Sequence, residues 1–132
     1  MQAKSEKRRE IAMKFECCCK TDSGLKAIID DIHSEKCGTN FEVCARLWYS
    51  SEYFGKTIMV EYQVATQECR ELTENEDEPD WFTAYEVDDE EDDDCSDEIF
   101  TATTDNYADI RILEEAMGDF AKEVFQRFYK ER

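Results

Sequence analysis

The side chains that could do chemistry are one histidine, seven cysteines and thirty-four carboxylates. His33 stands close to Asp30 and Asp31, as a general base would. It also borders an apolar helical stripe, Leu25, Ile28, Ile29 and Ile32, which makes it a surface or half-buried helix residue. The chain carries no Gly-rich phosphate loop, no Gly-x-Ser-x-Gly and no His-Glu-x-x-His. Its 132 residues leave little room for a sugar cleft between paired carboxylates. The expectation is a protein that is not an enzyme.

Metal chemistry is the next test. Cys17, Cys18, Cys19, His33 and Cys37 lie within a short span, with His33-x₃-Cys37 at helical spacing. No Cys-x₂-Cys pair exists, and adjacent cysteines on a helix point in different directions. An EF-hand loop begun at Asp88 places Asp93 at the glycine position and Ile99 at the final Glu. Begun at Asp89, it places Asp94 and Phe100 there. No glycine occurs between residues 56 and 117. The reading is therefore no cofactor and no dedicated metal site. The cysteines, odd in number and with no secretory h-region at the N-terminus, read as reduced, buried thiols of a cytoplasmic protein.

What remains is the placement of charge. Of the net −18, residues 74–118 carry −18 themselves; residues 1–20 carry +3, residues 21–73 carry −4 and residues 119–132 carry +1. Solubility needs a net charge of about 2–8, and acids this concentrated repel one another. Such a field disfavours nucleic acid and anionic membrane and favours a basic surface. The commonest strongly basic clefts are those that bind nucleic acid. Carboxylates on an extended chain rise about 3.4 Å per residue, much as phosphates do along one DNA strand. The residues assigned to partner binding are Glu76, Asp77, Glu78, Asp80, Trp81, Asp88, Asp89, Glu90, Glu91, Asp92, Asp93, Asp94, Asp97 and Glu98. Trp81, Phe82 and Tyr85 stand between the two acidic runs, and either Trp81 and Tyr85 or Phe82 must point into a core. The basic residues Lys4, Lys7, Arg8 and Arg9 could touch nucleic acid, but the adjacent acidic segment argues against it, and the expectation is that they pair with acids of this chain or of a second copy.

These residues need a scaffold. Apolar content is 41% and sixteen aromatics are available, enough for one domain over residues 1–132. Ile11, Phe15 and Cys18 recur at helical spacing, predicting a helix over 4–19. A second is predicted over 23–36, begun by Thr21-Asp22-Ser23-Gly24 and ended at Gly38. The period then becomes two. Phe41, Val43, Ala45, Leu47 and Tyr49 alternate with Glu42, Cys44, Arg46 and Trp48. Further strands are expected at 58–64, 81–87 and 99–103, with acidic loops at 74–80 and 88–98. Ile110, Leu113, Met117, Phe120, Ala121, Val124 and Phe128 predict a helix over 106–130, capped by Asp105 or Asn106. The fold class expected is α+β: an antiparallel sheet of about four strands, two N-terminal helices and one long C-terminal helix, in the order ααββββα.

A small acidic domain with the 74–80 and 88–98 runs and no catalytic constellation resembles the phage-encoded DNA mimics, anti-CRISPR inhibitors in particular. The resemblance implies an inhibitor that blocks the basic DNA- or RNA-binding cleft of a nuclease such as a CRISPR effector, in the cytoplasm of a bacterial host. There, arginines and lysines that read bases and phosphates would meet carboxylates. Two other classes share these electrostatics: an immunity protein or antitoxin neutralising a basic nuclease toxin, and an acidic protein-interaction module.

Overall fold

The computed structural model describes residues 10–35, 41–52, 54–66, 80–87, 97–105 and 107–129, apart from the side chains of Glu10, Ile11 and Asp97. The elements are β1 (Glu10–Cys17), α1 (Asp22–Ser34), β2 (Phe41–Ser51), β3 (Lys56–Ala65), β4 (Asp80–Val87), β5 (Asp97–Thr104) and α2 (Ile110–Phe128). The five strands form one sheet in the order β1-β2-β3-β4-β5, every neighbouring pair antiparallel.

This order, β-α-β-β-β-β-α, corrects the expected ααββββα: the described residues form two helices and five strands, and the described part of the segment expected to be the first helix holds strand β1. A β-bulge breaks the alternation of this strand. Ala12 pairs with Tyr49 and Lys14 with Trp48, leaving Met13 as the extra residue. Ile11 thereby pairs with Ser50 and Phe15 with Leu47, on opposite sides of the sheet, so the helical spacing of Ile11, Phe15 and Cys18 does not mark one face.

One face of the sheet carries the core. Leu47, Ile58, Val60, Tyr62, Val64 and Ala84 are fully buried there, and Phe82 nearly so. Both helices close over them, α1 through Leu25, Ile29 and Ile32, and α2 through Leu113, Met117, Ala121, Val124 and Phe125. Each such side chain is worth about 1.5–3 kcal/mol when fully buried, which sets the helices firmly on this side. Aromatic rings fill the space between the layers. Phe54 stacks on Phe125 at 5.3 Å, and Phe82 contacts both Tyr107 at 5.9 Å and Phe120 at 5.4 Å.

A second bulge, between Val43 and Ala45 of β2, changes which face the strand presents. Ala45, Leu47 and Tyr49 enter the core as the alternation requires. Cys44, the extra residue, is buried as well. Phe41 and Val43, expected on the same side as Leu47, instead lie opposite and are 49% and 38% exposed.

The ends of the elements follow local chemistry. Thr21 caps α1, its hydroxyl accepting from Gly24 N at 3.1 Å. Asp109, rather than Asp105 or Asn106, caps α2, accepting from Arg111 N and Ile112 N at 2.9 and 3.1 Å. Asp22 Oδ1 also accepts from Ile110 N at 3.0 Å, tying the two helix starts together. Gly55 holds φ at 70° in the β2–β3 turn, a left-handed conformation that a side chain would strain. The expected end of α1 at Gly38 lies outside the described residues. Among those residues, no helix is long and apolar enough to cross a membrane.

Candidate interaction face and the buried Asp80 network

Alternation along the strands divides the sequence-assigned residues between two faces. On β4, Phe82 and Ala84 point into the core, so Trp81, Thr83, Tyr85 and Val87 face the other way. Of the two arrangements open in the sequence, the chain adopts the one that puts Trp81 and Tyr85 outside the core. Trp48 of β2, flanked by the buried Leu47 and Tyr49, lies on the same outer face.

Across that face run three rows set by register. Trp48 pairs with Met59, and Met59 with Tyr85. These side chains shelter one another so well that Met59 is 4% exposed with neither helix above it. The Lys14 ammonium sits 4.9 Å from the centre of the Trp48 ring, a cation–π contact, and bonds Glu16 at 3.1 Å. At the far end, Phe41 meets Trp81 edge-to-face at 6.4 Å.

Between these apolar rows lies a polar ladder spanning β2 to β5. Arg46 Nε donates to Glu61 Oε2 at 3.0 Å, and Gln63 Nε2 donates to Glu61 Oε1 at 3.0 Å. Gln63 Oε1 lies 3.3 Å from the Thr83 hydroxyl, which contacts Thr101 Oγ1 at 3.1 Å. Thr101 in turn reaches Glu98 Oε2 at 2.8 Å. Glu98 is exposed and stands opposite Tyr85 in the register. Of the assigned partner-binding residues, Trp81 and Glu98 thus share one face. Glu76, Asp77, Glu78 and Asp88, Asp89, Glu90, Glu91, Asp92, Asp93, Asp94 lie outside the described residues, as does the side chain of Asp97.

Asp80 is the correction among them. Its side chain is fully buried, under the helices rather than on a surface, so it cannot meet a partner. Tyr62 Oη donates to Asp80 Oδ2, and His33 Nε2 lies 3.0 Å from Asp80 Oδ1. Tyr62 Oη also accepts from Tyr107 N at 3.2 Å. Burial, then the Asp80 charge and hydrogen bond, push the Tyr62 phenol well above its usual range. The network joins α1, β3, β4 and the entry to α2. His33, 16% exposed, is a clasp on the core, not an exposed base.

The thiols gather beside this network. Cys18 N donates to Cys44 O at 2.8 Å where β1 meets the β2 bulge. Cys17, Cys18, Cys19 and Cys44 are free thiols. Burial, with the Asp80 charge adding, pushes Cys44 up to about 11 against a bond from Cys18 that lowers it. Burial and the neighbouring Cys44 and Cys17 push Cys18 up as well. Raised thiols are poor nucleophiles and poor metal ligands at neutral pH. Among the described residues, no three His, Cys, Asp or Glu side chains converge as a metal site would need. Cys37, Cys69 and Cys95 lie outside them.

Sequence reasoning missed two groups. Trp48, Met59 and Arg46 belong to the outer face, and their signal was present: each alternates with a core residue. The Tyr62–Asp80–His33 contacts span 18 and 47 residues of chain, and no local pattern announces them. No protein-family model, curated protein or solved structure matches this chain.

Proposed function

We propose that the protein is a non-catalytic inhibitor that mimics nucleic acid and occupies the basic DNA- or RNA-binding cleft of a nuclease, a CRISPR effector in the first instance. The observation that carries this reading is the confinement of the net charge of −18 to residues 74–118. Chain connectivity adds a geometric support. The first acidic run leads into β4 at Asp80 and the second leaves it at Val87. Seven rises of ~3.3 Å separate those two points by about 23 Å, roughly two-thirds of a DNA turn. A sheet pinned on one side by two helices can hold such a spacing, which a disordered acidic tail cannot. The reading sets the protein in the cytoplasm, where Cys18 and Cys44 stay reduced.

The experiment is capture of partners on the immobilised full chain from candidate bacterial host lysates, with a salt-step elution and mass spectrometry. The expected result is one nucleic-acid enzyme, released by salt and displaced by its own DNA or RNA. A partner that nucleic acid does not displace would refute mimicry. Many basic proteins in small amounts would reduce the charge to a solubilising role.

A further inference from the structure

The sheet face opposite the two helices combines two kinds of group: aromatic planes and acceptors held in place by hydrogen bonds. We propose that this face is the docking surface for an arginine-bearing, cationic protein surface, with guanidinium groups stacked on Trp48, Tyr85 and Trp81. The proposal rests on the reading above for the basic character of the partner, and adds where and how its arginines are held.

Four observations lead there. First, cations already sit on this face: the Lys14 ammonium lies over Trp48, and Arg46 is bonded to Glu61 one row away. The same chemistry recurs elsewhere, with the Arg127 guanidinium 4.8 Å from the Phe100 ring centre. Second, ring and carboxylate are adjacent, since Tyr85 stands opposite the exposed Glu98. A guanidinium can stack on the first while its N–H groups fork to the second, which an ammonium cannot do. Third, Trp81 and Tyr85 are four residues apart on one strand, about 13 Å. The Thr83–Thr101 rung of the polar ladder lies between them. Fourth, five strands at ~4.8 Å and eight residues at ~3.3 Å give a footprint of roughly 600 Å². One side of a standard interface covers about 800 Å². The excess negative charge of the chain selects the sign of the occupant.

Both tryptophans of the chain, Trp48 and Trp81, lie on this face. Their fluorescence therefore reports on it alone. The probes are octa-arginine and octa-lysine peptides, titrated into the full-length protein at 0.3 M salt. Octa-arginine should bind about tenfold more tightly than octa-lysine, as one to two partly desolvated stacks would give. It should also shield both tryptophans from acrylamide. In the Trp48→Thr/Tyr85→Thr variant, folded by far-ultraviolet circular dichroism, the ratio should fall to about one. Neutralising Asp88 to Asp94 should weaken both peptides and leave the ratio intact.

A wild-type ratio near one, a ratio unmoved in the aromatic variant, or no protection from acrylamide would overturn the proposal. The acrylamide result needs no variant and decides even where the substitutions do not fold. Self-association in sedimentation velocity that the aromatic substitutions abolish would also overturn it, naming a second copy as the occupant. Failure of the mimic reading would instead appear as a captured partner that nucleic acid does not displace, with the arginine preference unchanged.

Discussion

Asp80 separates the structural from the electrostatic role of the carboxylates, and its replacement has a magnitude that can be worked out. The carboxylate has no solvent contact, and its partners include the Tyr62 hydroxyl and His33 Nε2. Asp80→Ala removes the acceptor for both and leaves two buried polar atoms without it. Each group so stranded costs about 1–3 kcal/mol, roughly 3–5 kcal/mol for the two together. A domain of this size has roughly 5–15 kcal/mol to lose. Asp80→Asn is nearly isosteric. Its amide oxygen still accepts from Tyr62, and its NH₂ can face His33 Nε2, so the expected cost is about 1–2 kcal/mol.

Urea unfolding followed by circular dichroism measures this directly. With a slope of about 1.5 kcal/mol/M, Asp80→Ala should lower the midpoint by roughly 2–3 M and Asp80→Asn by about 1 M. A double-mutant cycle with Tyr62→Phe should return a coupling of at least about 1 kcal/mol. An Asp80→Ala midpoint within 0.5 M of wild type, on the order of 1 kcal/mol, would refute the buried network. Equal losses in the Ala and Asn variants would refute the hydrogen-bond account, because the loss would then follow the carboxylate charge and not the contacts that Asn retains.

Three further outcomes follow from the structure. Gly118 lies within α2, and a Cβ there would meet only Tyr49 Cε2 at an ordinary 3.7 Å; Gly118→Ala should therefore stabilise by about 1 kcal/mol, raising Tm by a few degrees, and a loss of stability would expose a clash. Alkaline pH acts through Cys44, whose folded pKa of about 11 exceeds the ordinary value of 9.0. The folded state then holds a proton that the unfolded chain releases, so this stability is complete below pH 9 and drains away by about pH 11. At ~1.4 kcal/mol per unit the loss from Cys44 is about 2–3 kcal/mol, and a urea midpoint that stays flat from about pH 8.5 to 10.5 would contradict it. Replacing Asp88, Asp89, Asp92, Asp93 and Asp94 by Asn, and Glu90 and Glu91 by Gln, should abolish partner binding. Relief of like-charge repulsion should leave the stability unchanged or higher; an unchanged affinity would remove that segment from the mechanism.

Legibility in the sequence followed the regularity of each element. In β3, Ile58, Val60, Tyr62 and Val64 keep strict alternation against Met59, Glu61 and Gln63, and the strand is visible at once. In α2 the apolar positions repeat over nineteen residues, too many to arise from another period. The misreadings occur where one residue is added. The bulge at Met13 breaks the alternation of β1, and Ile11, Phe15 and Cys18, left without a period of two, passed for a helical face. The bulge at Cys44 moved Phe41 and Val43 to the outer face although their alternation with Leu47 looks unbroken. A bulge has no residue signature here, with no glycine to mark it; it is a property of the pairing between strands, which a single strand does not encode. Asp80 was hidden for a related reason. It closes an acidic run, and its neighbours in sequence gave it their character, whereas its partners are Tyr62 and His33 on other elements.

Of the sheet's three bulges, the third at Ile99 of β5, those at Met13 and Cys44 also shape the candidate interaction face, and so connect the fold to the proposed function. Without the shift at Cys44, continuous alternation would carry Phe41 and Val43 under the helices, and the Phe41–Trp81 contact would not form. Without the shift at Met13, either Lys14 or Phe15 would be displaced, and the ammonium would leave Trp48. Bulges cost ladder hydrogen bonds and are found where a side chain must be re-aimed. Here both re-aim groups onto the same side of the sheet, the side that no helix among the described residues covers. An outer face that served only to shed water would gain nothing from two such irregularities, and would favour charged residues over Trp48, Met59, Trp81 and Phe41. The aromatic and acceptor rows thus suit a surface organised for contact; under the proposed function, the acidic segments would draw a cationic partner toward it, and the rings and Glu98 would determine how that partner is held.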